Sequence, residues 1–209
     1  MSEYKTVKQA AMAEYEDRRS RFIGAVIPIT DEAEAVEFIN KRRSETFGAR
    51  HNVYAYILRE GNIARYSDDG EPHSTAGMPT LDVLKKNGLV DVCVVTTRYF
   101  GGILLGTGGL VHAYTTAAKM AVETAGIAVM KQCFMCGVTC EYSDHKRLEQ
   151  VLEDNKAKII DTVYTDKVTL KFTVPEPLYD ILFANTVDAM CGRVTPEILD
   201  SIWADSSEI

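Results

Sequence analysis

The segment RYFGGILLGTGGL, Arg98 to Leu110, places five of the chain's 14 glycines directly after a guanidinium and two aromatic rings. Residues of these types invite phosphate chemistry, yet neither common nucleotide loop fits. Gly101 and Gly106 have the Walker separation, but Thr107 stands where the lysine belongs. Gly106-Thr107-Gly108 begins a dinucleotide fingerprint that Val111 breaks at the third glycine. What remains is a glycine-rich turn feeding a helix, with the amides of Gly108, Gly109 and Leu110 free at the positive end of the dipole and suited to an anion. The competing reading makes Thr107 a helix cap and gives the glycines only the work of positive φ and close packing. Arg98, Tyr99 and Phe100 are suited to stack on a base, to hold a partner's phosphate or carboxylate, or to form a protein hot spot. Burial of Phe100 in the core is the plainer alternative.

A second group precedes it. Asp68, Asp69 and Glu71 in YSDDGEP could coordinate magnesium, hold an arginine of this chain or of a partner, or simply stay solvated in a turn. Thr75 follows them, and Arg50-His51 and His73 carry groups able to move a proton. No serine or cysteine nucleophile is tied to these by a known spacing. Cys133, Cys136 and Cys140, with His145 beyond, suggest a zinc site at first sight. Their segment reads as a strand, however, in which Cys136, Val138 and Cys140 share one face as small core residues. The sequence therefore assigns a binding set of Arg50, His51, Asp68, Asp69, Glu71, Thr75, Arg98, Tyr99, Phe100, Gly101, Gly102, Gly106, Thr107, Gly108 and Gly109. It assigns no catalytic residue, no metal and no cofactor.

These residues need elements to position them. SRFIGAVIPI reads as a strand, broken by Pro28. Asp31 with Glu34 opens a helix in capping-box spacing, with Ala35, Phe38 and Ile39 inward and Lys41, Arg42 and Arg43 at its negative end. HNVYAYILR and GNIARYS form a hairpin about Glu60-Gly61-Asn62. A short helix holds Pro79 in its first turn and stops at Gly88. DVCVVTTRYF is a buried strand, and Leu110, Tyr114, Ala117, Ala121 and Ala125 mark the apolar stripe of a helix opposite His112, Thr116, Lys119 and Glu123. From about residue 130 the order restarts as strand 132–141, helix 143–156, strands 158–164 and 167–174, helix 177–190 and strand 192–199. That is the βαββαβ order of a ferredoxin-like domain. The fold class is α+β, an N-terminal domain over 1–130 followed by a ferredoxin-like domain over 131–209.

Composition narrows the classes. Of 209 residues 46% are hydrophobic and 25% charged, the balance of a folded globular protein, and five cysteines suit free thiols rather than a disulfide framework. No stretch approaches the ~18 apolar residues of a membrane span, and the first residues fit neither a secretory signal nor a mitochondrial presequence, so a cytoplasmic location is expected. The net charge of -7 is uneven: residues 1–130 hold 15 basic and 16 acidic side chains, residues 131–209 hold 8 and 14. Broad electrostatic attraction to nucleic acid is thereby excluded, and any RNA contact must be local and lie in the first part.

In order and spacing, ARHNVYAY, YSDDGEP, TAGMPTLDVL and VVTTRYFGGILLGTGGLVHAY, spread over residues 20–118, resemble the IMPACT/YigZ family. The second domain matches only in arrangement and length. The resemblance implies an N-terminal α+β domain of the fold shared with a small-subunit ribosomal protein and the fourth domain of the translocating elongation factor. It implies regulation of translation initiation in eukaryotic relatives, by competition for an activator of a stress-responsive kinase, and no established catalytic mechanism. For this chain it implies a translation-associated binding protein contacting RNA, the ribosome or a translation regulator. The alternative is an enzyme or binder of a phosphorylated small molecule or nucleotide at the glycine turn. The chain departs from the family pattern at His112 and at His73-Ser74, and it lacks the extra N-terminal domain of eukaryotic relatives, so the kinase-pathway role is not expected here. A homodimer through the C-terminal domain is the remaining partner expectation.

Overall fold

The chain breaks its apolar runs at Pro28, Gly61 and Gly88, and in the computed structural model, which describes residues 3–207, each break lies at or just beyond an element end. The order is β1 (Glu3–Val7), β2 (Ala11–Asp17), β3 (Ser20–Pro28), α1 (Glu32–Glu45), β4 (His51–Leu58), β5 (Ile63–Ser67), α2 (Gly77–Lys86), β6 (Val92–Tyr99), α3 (Gly106–Ala125), β7 (Ile127–Cys140), α4 (His145–Asp154), β8 (Lys158–Tyr164), β9 (Val168–Pro175), α5 (Tyr179–Ala189) and β10 (Glu197–Asp205). This is an α+β fold, and it divides into two compact units, one of Tyr4–Ala128 and one in which Glu3 joins the residues from Val129 onward.

In the first unit five antiparallel strands lie in the order β2-β3-β6-β4-β5. Both faces of the central strands are covered. Val92 and Val94 of β6 and Ala55 and Ile57 of β4 meet α2 and α3 on one side, while Cys93, Val95, Tyr56 and Leu58 meet α1 on the other. Double coverage explains why β6 reads as a continuous apolar run and why Tyr56 and Leu58 are buried although the sequence sets them opposite Ala55. Helix α1 starts where the capping box predicts: the Asp31 carboxylate accepts from the Glu34 amide at 2.9 Å, and the Glu34 carboxylate accepts from the Thr30 amide at 2.6 Å. Ala35, Ile39 and Arg42 form its buried side, whereas Phe38 is only half-buried.

Strand β2 had no sequence signal. Alanine and glutamate favour helix, but here Ala11, Ala13 and Tyr15 face inward in alternation with exposed Met12, Glu14 and Glu16, the pattern of an edge strand with one covered face. Its register sets Ala13 against Gly24 of β3. Glycine is required there by approach and not by φ: a methyl on residue 24 would lie 2.4 Å from the Ala117 carbonyl oxygen, so α3 rests its backbone directly on the sheet.

The second unit sets β10-β7-β9-β8 in antiparallel order. Cys136, Val138 and Cys140 of β7 join Leu148, Leu152, Leu170, Phe172 and Leu182 in its core. The last strand lies five residues later than the sequence suggests, starting at Glu197 rather than 192. Gly192 turns at φ 74, and Pro196, which cannot donate to a ladder, precedes the first paired residue.

Two outcomes follow from this packing. Gly24→Ala should lower unfolding stability by about 1–3 kcal/mol, the cost of overpacking a helix against a sheet, measured by urea denaturation. Cys93, Cys133, Cys136 and Cys140 are buried and Cys191 is exposed, and burial pushes the Cys93 thiol up to about 12 and the Cys136 thiol up to about 11. A thiol-reactive dye should therefore label one cysteine rapidly in the native protein and the others only on unfolding.

Candidate functional site

Arg98 is the penultimate residue of β6, and the registers place it opposite Phe22 of β3 and His51 of β4. Directly opposed residues point to the same face of a sheet. That face meets α3, where Tyr114 packs edge-on against Phe22 with ring centroids 5.1 Å apart. The Arg98 Nη1 donates to Glu71 Oε1 at 2.7 Å, and the Tyr114 hydroxyl donates to the same oxygen at 2.8 Å. The two charged side chains are only 8% and 3% exposed. Burial and the Glu71 charge raise the Tyr114 hydroxyl above the usual tyrosine range, which keeps it a donor. The guanidinium also lies over the rings of Phe22 and Phe100, at 5.6 and 5.5 Å.

The acidic loop is equally committed. Asp68 accepts from the amides of Ser74, Ala76 and Gly77 at 2.8, 3.0 and 2.8 Å and so satisfies the free donors at the start of α2. Asp69 accepts from the Asn52 amide at 2.7 Å and pairs with Arg43 at 2.8 Å, while its carbonyl accepts from His51 Nδ1 at 2.8 Å. Thr75 is buried and donates to the Pro72 carbonyl at 2.6 Å. Of the readings open to these acids, the arginines of this chain take Asp69 and Glu71, and Asp68 serves as a cap. Among the described residues no group of three or more His, Cys, Asp or Glu side chains is arranged to hold a metal.

The glycine loop turns out differently from either sequence reading. Helix α3 begins at Gly106 with Leu105 at the cap position and no side-chain cap, so Thr107 lies inside the first turn and is not the cap. The amides without an intrahelical acceptor are accordingly those as far as Gly108; the amides of Gly109 and Leu110 already have carbonyl acceptors four residues back. Gly101 is held tightly: its amide donates to Ser20 Oγ at 3.1 Å, and a methyl there would lie 2.1 Å from the Arg19 carbonyl oxygen. Gly102 and Gly106 take positive φ, 85° and 71°.

Phe100 is not a core residue, because the strand ends before it and the loop lifts it out; it is 52% exposed and Leu104 is 81% exposed. Arg98 is not offered freely to a partner, since Glu71 holds it inside. Tyr99 faces the opposite side of the sheet, with the Arg21 guanidinium 4.9 Å from its ring centroid. Arg50, His51, Arg98, Phe100 and Leu104 line one small pocket of about 200 Å³. His73 is exposed and beside Ser74, outside that pocket. Sequence reasoning missed Leu104 and the Tyr114 hydroxyl. The first was signalled by the apolar ILL inside a glycine loop, while the second was hidden because Tyr114 also fits a core stripe.

Replacing Glu71 by Ala strands a buried guanidinium and should cost about 3–5 kcal/mol of stability, whereas Tyr114→Phe removes one hydrogen bond to a charged acceptor and should cost about 1–2 kcal/mol. Urea unfolding of the two variants measures both.

Comparison with known proteins fits this geometry into a family. The Impact N-terminal domain matches residues 18–122, a span that contains the buried ion pair, the acidic loop and the glycine loop, and a domain of unknown function, DUF1949, matches residues 138–180. The chain is similar to the IMPACT family member YvyE of Bacillus subtilis, 37% identical over 174 residues that cover 83% of this chain and 80% of that protein. It is 35% identical to the IMPACT family member YigZ of Escherichia coli over 164 residues, 77% of this chain and 80% of that protein. A crystal structure described as that of a hypothetical protein matches with a TM-score of 0.61 and 29% identity, covering 96% of this chain and 98% of the other. The chain belongs to the IMPACT family.

Proposed function

We propose that the chain is a cytoplasmic, translation-associated binding protein whose first unit docks on RNA of the translation apparatus through the loop between β6 and α3. The observation that carries this reading is the exposure of Phe100 and Leu104 on a backbone that Gly101 pins against Arg19. Large apolar side chains held in solvent by a rigid loop bury themselves only when a partner arrives. Phe100 supplies a ring on which a base can stack. Arg50 is exposed and has no ion-pair partner among the described residues, so its guanidinium is free to meet phosphate. This contact is local, as an acidic chain requires.

The alternative, an enzyme or binder of a nucleotide, is less well supported. The pocket of about 200 Å³ is below the roughly 300–1,000 Å³ of ordinary small-molecule sites. No serine or cysteine nucleophile lines that pocket. We read the second unit, from its strand order β10-β7-β9-β8 with two helices, as ferredoxin-like and as a binding or dimerising module.

Phe100→Ala combined with Leu104→Ser should weaken binding to purified ribosomes or ribosomal RNA by about tenfold, with the unfolding midpoint unchanged because both side chains are exposed. Co-sedimentation across a salt series reads the affinity, and wild-type binding by the double variant would remove the loop from the interface.

A further inference from the structure

The pocket of Arg50, His51, Arg98, Phe100 and Leu104 brings together groups from three places in the chain: the start of β4, the end of β6 and the loop before α3. Arg98 enters with unused capacity. One of the five N–H groups of its guanidinium is taken by Glu71, and its buried Nε has no hydrogen-bond partner among the described residues. His51 is oriented by its other nitrogen. Nδ1 lies 2.8 Å from the Asp69 carbonyl oxygen, an acceptor only, so Nδ1 carries the hydrogen and Nε2 is the ring atom left for a ligand. Glu71 cancels one of the two arginine charges, and Asp69 is neutralised by Arg43, so the surplus is the positive charge of Arg50.

We infer that this pocket receives a phosphate monoester, with the attached base stacked on Phe100 and the sugar against Leu104. The inference rests on the RNA reading above and narrows it. Size argues for a single phosphoryl group, because about 200 Å³ is too little for a whole nucleotide. Arg98, itself buried, forms part of the pocket lining, which favours a chain end that reaches inward over a strand running past. A monoester carries between one and two negative charges near neutral pH and three strong acceptor oxygens, against one charge for a diester, and so matches a cationic surplus with several donors. The exposed apolar pair, Phe100 and Leu104, then has a use that an inorganic anion would not give it. The ligand is thus the terminal phosphate monoester of an RNA strand; a free mononucleotide presents the same group, and the test below separates the two.

Fluorescence anisotropy with short RNA oligomers bearing a 5′-phosphate, a 3′-phosphate or neither tests this, with nucleoside monophosphate as competitor. One phosphorylated oligomer should bind about tenfold tighter than the unphosphorylated one. Arg50→Ala should remove that preference without altering the unfolding midpoint, and Phe100→Ala should weaken every oligomer. Displacement by the monophosphate at equal concentration assigns the pocket to the free nucleotide, and resistance to it assigns the pocket to a strand end. Equal affinity for all three oligomers overturns the monoester pocket, while a Phe100→Ala effect in that case leaves RNA docking standing. Binding of the monophosphate alone, with no oligomer bound, keeps the pocket and removes RNA docking; binding of neither removes both.

Discussion

The Arg98–Glu71 ion pair, closed by the Tyr114 hydroxyl, is the constraint on which the geometry of the first unit's loop face depends. It joins the last turn of sheet in β6, the loop that enters α2 and the middle of α3 through one carboxylate oxygen. A pair this deep gives back in attraction roughly what desolvation takes, so its contribution is less to total stability than to the choice of one arrangement. An apolar replacement could fill the space but would not specify which way the 68–77 loop turns. With Glu71 fixed, Asp68 and Asp69 reach the amides and the arginine that they satisfy, and the ring of Phe100 is set against the outer side of the guanidinium.

Much of this was readable from residue types. The capping box at Asp31 and Glu34, the hairpin about Gly61 and the buried run of β6 depend on neighbours within a few positions, and local spacing is what a sequence displays directly. Strand β2 was not readable, because Ala11, Ala13 and Glu14 carry no β preference and owe their conformation to Gly24 and α3, far along the chain. The site shows the same division. Its residues were found by their chemistry, but whether Arg98 points outward or inward depends on Glu71, 27 positions away. Thr107 was a reasonable cap by composition; the cap position instead went to Leu105, whose side chain is buried beneath the loop.

In the second unit the element order was legible and the last strand was not placed correctly. The apolar alternation of Val194 through Leu199 begins before the pairing does, and Pro196 decides the start by withholding a donor. The cysteines illustrate the converse. A C-x-x-C spacing has a strong association with metal, yet on an extended strand Cys133 and Cys136 face opposite ways, and the hydrophobic surroundings of Cys136 and Cys140 give those thiols the role of small core side chains.

The pinned loop has an evolutionary consequence. Gly101 has no room for a methyl, and Gly102 and Gly106 occupy backbone angles that other residues resist, so these positions are closed to drift. Ile103 and Leu104, between them, are exposed and bear on no core cluster. Their side chains are free to vary while the path of the backbone stays the same. A lineage can retune what the loop touches by exchanging two residues, without renegotiating the fold that presents them.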